Sequence, residues 1–361
     1  MRALRVFSLG VLLSLGACGS SREELAVEDR SGESVDFGAK LEPASGRVLH
    51  GWGQFSGAWT LGLERGRGDA ADLRAYEQAT APAAPALLSF YVAPTREQIE
   101  ALLPKLAELR AERGAYVVQL GLYFFSLQDA LARGDLDAEL RALAVGLREL
   151  RLPVLLRIGY EFNNPWQPYR PESYVPAFQR VVRLLAESGA CNVAPVWHAS
   201  VLGLSSRAAQ DWYPGDELVA WWGVSLFHSE ELTSAELGPF LDAAREHRRP
   251  VLVAEASPVL ASRIPFRVRG PDSPEEAQQW YARLFALVER RPEIKALSLI
   301  AVDWRRLRED LPGLGWPDTR LGAWPEVAAQ VRRELSSPRY LSRAEWQLTD
   351  SARADCARSG S

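Results

Sequence analysis

Cysteine, histidine and long apolar runs are scarce in this chain of 361 residues, and each shortage removes a class of protein. The three cysteines, Cys18, Cys191 and Cys356, make no C-x-x-C spacing of the kind that binds zinc. His50, His198 and His228 fall in separate segments with no H-x-x-x-H pattern, which argues against metal catalysis. The apolar run from Val6 to Leu15 is shorter than the roughly 20 residues that cross a bilayer. No long basic run follows it, so nucleic acid is not an expected partner. HGWGQFSG lacks G-x-G-x-x-G, its Gly53 and Gly57 being scattered turn glycines, and neither Ser225 nor Ser257 sits in a G-x-S-x-G elbow. What the chain does have is aromatic surface. Twelve Trp, twelve Phe and ten Tyr suffice both for a large core and for faces on which flat apolar ligands stack.

The first residues, MRALRVFSLGVLLSLGACGSS, run from basic through apolar to small, the order of a secretory signal. Leu15-Gly16-Ala17-Cys18 resembles the bacterial lipobox, which implies a lipid on Cys18 and attachment to a membrane; an ordinary secretory signal with an incidental cysteine is the alternative. Gly19, rather than aspartate, after Cys18 suggests the outer membrane by the sorting rule of such proteins. Loss of residues 1–17, with Arg2 and Arg5, lowers the formal charge of -4 by two. In an exported chain Cys191 and Cys356 form one disulfide, or they remain a core thiol and a tail thiol.

Residues 18–44 are polar and without periodicity, as a flexible tether would be, and residues 341–361 read as a tail with little to pack. Between them no change of composition marks a second domain. Eight short apolar runs stand out there: Arg47 to Trp52, Ala86 to Val92, Ala115 to Leu122, Pro153 to Ile158, Asn192 to Trp197, Ala220 to Leu226, Pro250 to Ala254 and Lys295 to Val302. Helix-period segments separate most of them, at Ala138 to Leu150, Pro171 to Ser188, Ala235 to His247 and Pro274 to Arg290. Another begins at Thr95, with Gln98 at the offset of a capping box. This alternation predicts an α/β fold, a (β/α)8 TIM barrel over residues 45–340, in preference to a doubly wound sheet. Polar and aromatic residues gather at the C-terminal ends of the runs, where such barrels work: Trp52, Gln54, Tyr91, Tyr123, Glu161, Asn163, Asn164, Trp197, His198, Phe227, His228, Glu255, Asp303 and Trp304.

Glu161 follows the fourth run, in LLRIGYEFNNPW, and Glu255 ends the seventh, in RRPVLVAEASP. Strands four and seven face each other across a barrel mouth, and two carboxyl groups so placed are the equipment for breaking a glycosidic bond. One must give a proton to the departing oxygen while the other attacks the anomeric carbon. Their repulsion raises the proton affinity of one. Arg157, four residues before Glu161, points into the barrel by parity and favours an ionised carboxylate. The opposing structural reading is an ion pair with Arg157 or another barrel arginine.

The segment from Arg157 through Tyr160, Glu161, Asn163 and Trp166, with Tyr169, Tyr174 and Trp197 beyond, resembles the strand-four to strand-five region of glycoside hydrolase family 26. Trp212 to Glu217, Trp222 to Ser225, Pro250 to Glu255 and Lys295 to Trp304 are similar to its later strands, so the likeness runs from about Val48 to Tyr340. It implies a retaining glycosidase with Glu161 as acid/base and Glu255 as nucleophile, chemistry that needs no cofactor, and a monomer is expected. Its substrate would be a β-linked polysaccharide, β-1,4-mannan by family weight. Arg157, Tyr160, Asn163, Trp166, Trp197, His198, Phe227, His228 and Trp304 would contact the sugar. Trp166, Trp197, Trp304 and Trp316 serve equally well as core residues, and Asn163-Asn164-Pro165 reads also as a turn. Two departures stand against full activity. Tyr160 replaces the family's usual histidine, and Phe227 stands where a tyrosine commonly orients the nucleophile. Unless His228 takes over, the chain would be a catalytically weak glycan-binding lipoprotein on the same barrel.

Overall fold

The computed structural model describes residues 27–55, 66–164, 167–201, 204, 206–261, 268–307 and 317–349. The leader, Cys18, Trp166, Trp316 and Cys356 lie outside them. Eight parallel strands form a closed ring: β1 (Val48–Phe55), β2 (Leu87–Val92), β3 (Val117–Leu122), β4 (Val154–Ile158), β5 (Val193–Ser200), β6 (Trp221–Leu226), β7 (Val251–Ala256) and β8 (Ile294–Leu299). Each pairs with its neighbour in sequence, and β1 closes on β8 from Leu49 opposite Ala296 to Trp52 opposite Leu299. The chain is therefore a (β/α)8 barrel, and all eight apolar runs in the sequence are its strands.

Around the ring lie α1 (Gly66–Thr80), α2 (Arg96–Arg113), α3 (Gln128–Arg133), α4 (Asp137–Leu150), α5 (Pro171–Glu187), α6 (Ser206–Asp211), α7 (Ser229–Leu232), α8 (Leu237–Glu246), α9 (Pro274–Arg290) and α10 (Pro325–Leu335). Thr95 caps α2 by accepting from the Gln98 N–H, but the Gln98 side chain accepts from the Ala93 N–H at 2.7 Å instead of closing the box. The pleat sorts each strand between two cores. Leu49, Leu87, Val117, Leu155, Val196, Trp221, Leu252 and Ala296 point inward and fill the lower barrel. Val118, Leu156, Trp197, Val224, Val253 and Leu297 point outward to the helices.

The described parts of the segments expected to be tether and tail, residues 27–44 and 341–349, are part of this body. Residues 27–44 cross the N-terminal end of the barrel, with Val27, Val35 and Glu42 buried. The Trp221 indole donates to the Lys40 carbonyl at 2.7 Å, and the Lys295 ammonium donates to the Val35 carbonyl at 2.7 Å. After α10, Tyr340–Leu341 adds a short strand beside β1, and α11 (Arg343–Thr349) follows. Its Trp346 joins Leu341 and Leu41 against the inner core. An open barrel bottom would wet that core, and these few apolar side chains cover it despite their polar neighbours. Polar composition alone therefore misreads residues 27–44 and 341–349. Cys191, just beyond α5, is disulfide-bonded, its partner lying outside the described residues.

Candidate active site

The strand that carries Glu255 is irregular where it matters. Val224 lies opposite Val253 but Ser225 lies opposite Glu255, and on the other side Leu297 faces Val253 while Leu299 faces Ala256. Both neighbours thus show one extra residue in β7 between Val253 and Ala256. Simple alternation from inward Leu252 and Ala254 would send Glu255 out to the helices. The bulge turns it inward instead, the usual effect of an inserted residue at a barrel rim. From β3, the Gln119 amide reaches across the interior and donates to the Ala254 carbonyl at 2.8 Å, holding the bulge in place.

Two donors converge on one oxygen of Glu255. Arg157 Nη1 donates to Oε1 at 2.5 Å, and the Tyr91 hydroxyl donates to the same atom at 2.8 Å. Arg157 is wholly buried, so its charge is balanced by Glu255 rather than by water. Burial works against the guanidinium, but Tyr91 and Glu255 more than offset that and strengthen its hold on the proton. The guanidinium lies over the rings of Tyr91 and Tyr160, 5.0 and 4.9 Å from their centroids. Gly121 on β3 makes the room: a Cβ there would meet Tyr91 at 2.9 Å and Arg157 and Tyr160 each at 3.0 Å.

His198, inward on β5, is buried beside Arg157; burial first, then that cation, depress its basicity far below the usual range. It is neutral, and its tautomer follows from its partners. Arg157 can only donate, so Nδ1, 3.4 Å from Nη1, accepts; Nε2 then carries the hydrogen and donates to Ser225 Oγ at 3.0 Å. Tyr160 stacks on this imidazole with centroids 6.2 Å apart.

Glu161 sits beyond β4 on a turn with two left-handed residues, Gly159 at φ 58° and Glu161 itself at φ 52°. Left-handed backbone costs a residue with a Cβ about 1–2 kcal/mol, and such cost persists where surroundings over-determine it, often at functional sites. Asn164 steadies the turn, its N–H donating to the Glu161 carbonyl at 2.9 Å and its amide to Oε2 at 3.3 Å. Burial and the charge of Glu255 raise the Glu161 carboxyl to about 7, against the opposing pull of Ser225 and Asn164. The two acids therefore feel each other and differ in environment: one lies beside a cation and a phenol, the other beside neutral groups. A third acid, Glu231 on α7, is also raised to about 7 by burial and accepts from the backbone N–H groups of Phe227 and His228.

Trp197 and Asn163, expected at the sugar, make other contacts. Trp197 points outward, since the pleat turns it away from the side on which His198 lies. Its ring stacks on Phe162 at 4.7 Å and its indole N–H donates to the Trp212 carbonyl at 3.1 Å. Asn163 uses both ends of its amide on the Ser200 backbone, donating to the carbonyl and accepting from the N–H at 2.8 Å each, and so ties the Glu161 loop to β5. Trp304 is 6% exposed within the outer core. His228 donates from Nδ1 to the Val259 carbonyl at 2.8 Å, and Phe227 is partly buried against the outer core. Tyr91, in the sequence only one strand-end aromatic among several, takes the place at Glu255 that the sequence offers to His228. Gln119 and Ser225 also escape a reading of the sequence; a lone glutamine in VVQLGL and a serine in WWGVSL are the available signals. Among the described residues no group of three His, Cys, Asp or Glu could hold a metal ion.

No protein-family model matches the chain. It is 28% identical over 228 residues to a beta-1,3-xylanase of Alcaligenes sp., covering 59% of this chain and 49% of that one. It is 26% identical over 231 residues to the beta-1,3-xylanase TXYA of Vibrio sp., covering 60% and 50%. The chain thus spans about half the length of these curated relatives. Among solved structures, a modular endo-beta-1,4-mannanase of Cellulomonas fimi, in a report on glycoside hydrolase family 26, superposes with a TM-score of 0.60 at 15% identity, over 88% of this chain and 78% of that one. The catalytic domain of a family 26 endo-beta-1,4-mannanase from Bacillus sp. gives 0.60 at 13% identity, over 92% and 95%. At such identities the likeness is one of fold, and the fold these structures share with the chain is the (β/α)8 barrel.

Proposed function

We propose that the chain is a retaining glycoside hydrolase of the family 26 type that cleaves a β-linked polysaccharide. One observation carries this reading: two acids at the barrel mouth lie in different environments, Glu255 against the Arg157 cation at 2.5 Å and Glu161 raised to about 7 by burial and the charge of Glu255. Hydrolysis of a glycosidic bond by two carboxyl groups needs that inequality, and the resemblance to family 26 favours the retaining route. Glu255 attacks the anomeric carbon as carboxylate while Glu161 protonates the departing oxygen. A water then enters, loses its proton to Glu161, and releases the sugar from Glu255. No metal or organic cofactor has a step in this scheme.

For the substrate, the sequence relatives weigh more than the fold. The chain is 28% and 26% identical to proteins named as beta-1,3-xylanases, but only 13–15% identical to the two mannanases. We therefore place β-1,3-xylan ahead of β-1,4-mannan. The lipobox-like Leu15 to Cys18 supports an enzyme held at the cell envelope by a lipid, and an exported chain fits an extracellular polymer. The rival reading, a binding protein without turnover, draws its support from Phe227. It is weakened because Glu255 has a phenol donor in Tyr91.

The test is incubation with β-1,3-xylan, β-1,4-mannan and mixed-linkage β-glucan, scored for new reducing ends and, by proton NMR, for the anomer released first. Retention of the β-anomer is expected on one of them, with Glu255→Ala and Glu161→Gln reducing turnover by at least about a thousandfold while binding survives. Binding without any new reducing ends in the unaltered protein would leave the rival reading standing.

A further inference from the structure

Phe227 follows β6, where the family-26 resemblance leads one to expect a tyrosine that orients the nucleophile. A phenyl ring has no donor, and the surrounding contacts put the backbone of Phe227 to other use. Its carbonyl accepts from the Trp280 indole at 3.0 Å, and its N–H donates to Glu231 at 2.5 Å. On the far side of the barrel, the last turn of β2 brings a phenol to the same carboxylate. We propose that Tyr91 is the positioning residue of the nucleophile, a role moved from the sixth strand to the second, and that it fixes which oxygen of Glu255 attacks. This inference rests on the glycosidase reading above.

The geometry is specific. Both strong donors, Tyr91 and Arg157 Nη1, meet Oε1, at 2.8 and 2.5 Å. Oε1 is thereby held and its lone pairs engaged, which leaves Oε2 as the attacking atom. Its lone pair forms the bond to the anomeric carbon as the bond from that carbon to the leaving oxygen breaks, and Glu161 supplies the proton to that oxygen. The rest of the site is built around the phenol. Tyr160 meets the Tyr91 ring edge-on at 5.5 Å, and the Arg157 guanidinium lies 5.0 Å from its centroid. Gly121 leaves the space, a Cβ there falling 2.9 Å from the Tyr91 ring. Burial and the neighbouring Glu255 charge make Tyr91 hold its proton more firmly than an ordinary phenol, so the hydroxyl donates across the working pH range. A mere filler of this space would need no hydroxyl.

The experiment isolates the first chemical step. The full chain is treated with 2-fluoro β-xylobiosyl and β-mannobiosyl compounds carrying a dinitrophenolate leaving group, which needs no acid. Covalent label on Glu255 is read by mass spectrometry, and the inactivation constant is separated from the inhibitor's binding constant. Tyr91→Phe keeps the ring and its packing and removes only the donor. The expected result is a fall of about tenfold to a hundredfold in the inactivation constant, with the inhibitor's binding constant unchanged and the fold retained by circular dichroism. A Tyr91→Phe variant labelled as fast as the unaltered chain overturns the role given to Tyr91 and leaves the glycosidase reading intact. An unaltered chain that releases no reducing ends from any of the three polysaccharides and that neither compound labels sinks that reading, and this inference with it.

Discussion

A carboxylic acid that must give up its proton works only while it has one. Glu161 holds its proton to about 7 because burial and the Glu255 charge disfavour its ionised form. For the free enzyme, kcat/KM should therefore fall as pH rises through about 7, and the fall belongs to the coupled pair of acids rather than to Glu161 alone. Glu255→Gln removes the neighbouring charge, so a carboxylate-sensitive infrared titration of Glu161 should move to lower pH in that variant. A titration that stays put would mean that Glu255 does not raise Glu161. The chemistry of the pair is legible from two glutamates at strand ends and an arginine inside an apolar strand. What each donor touches is not, because Tyr91 and Glu255 are 164 positions apart and no local pattern ties them.

At the level of the strand, the outcome turns on one extra residue. Alternation in VLVAEA assigns Ala254 to the interior and Glu255 to the helices, and only the registers with β6 and β8 expose the bulge that reverses this. The same alternation, applied to the fifth strand, divides Trp197 from His198 and corrects the expectation that both meet the sugar, since two adjacent residues on a regular strand cannot both face it. Strands are readable because each is an apolar run bounded by polar turns; the bulge is not, because it leaves no mark in composition. Gln119 tests it. Replacing Gln119 with leucine takes the donor from the Ala254 carbonyl, frees the bulge to shift, and should lower kcat about tenfold with little change in KM. Steady-state kinetics on whichever polysaccharide is cleaved, with circular dichroism to confirm the fold, reads this out. A loss confined to KM would show that Gln119 acts elsewhere.

Taken whole, the barrel separates its work from its support. The mouth carries acids, phenols and a guanidinium, whereas the other end is closed by Leu41, Leu341 and Trp346 from the two extremities of the described chain. Trp346→Ala should cost about 3–5 kcal/mol of stability, measured by urea unfolding, with KM unchanged, since the indole covers core and touches no site residue described above. A stability loss under about 1 kcal/mol would show that the plug is dispensable. Composition presents both extremities as solvated segments because their few apolar residues are diluted among charges, and burial here depends on where a handful of side chains land rather than on averages.

That closure also sets an orientation. The backbone N–H of Arg30 donates to the Arg290 carbonyl at 2.8 Å, just before the eighth strand begins. The chain therefore joins the body on the side away from the acids. If the lipid proposed on Cys18 is present, a pull transmitted through Val27 would reach the molecule at the end opposite Glu161 and Glu255 and leave the barrel mouth free to meet a passing polymer.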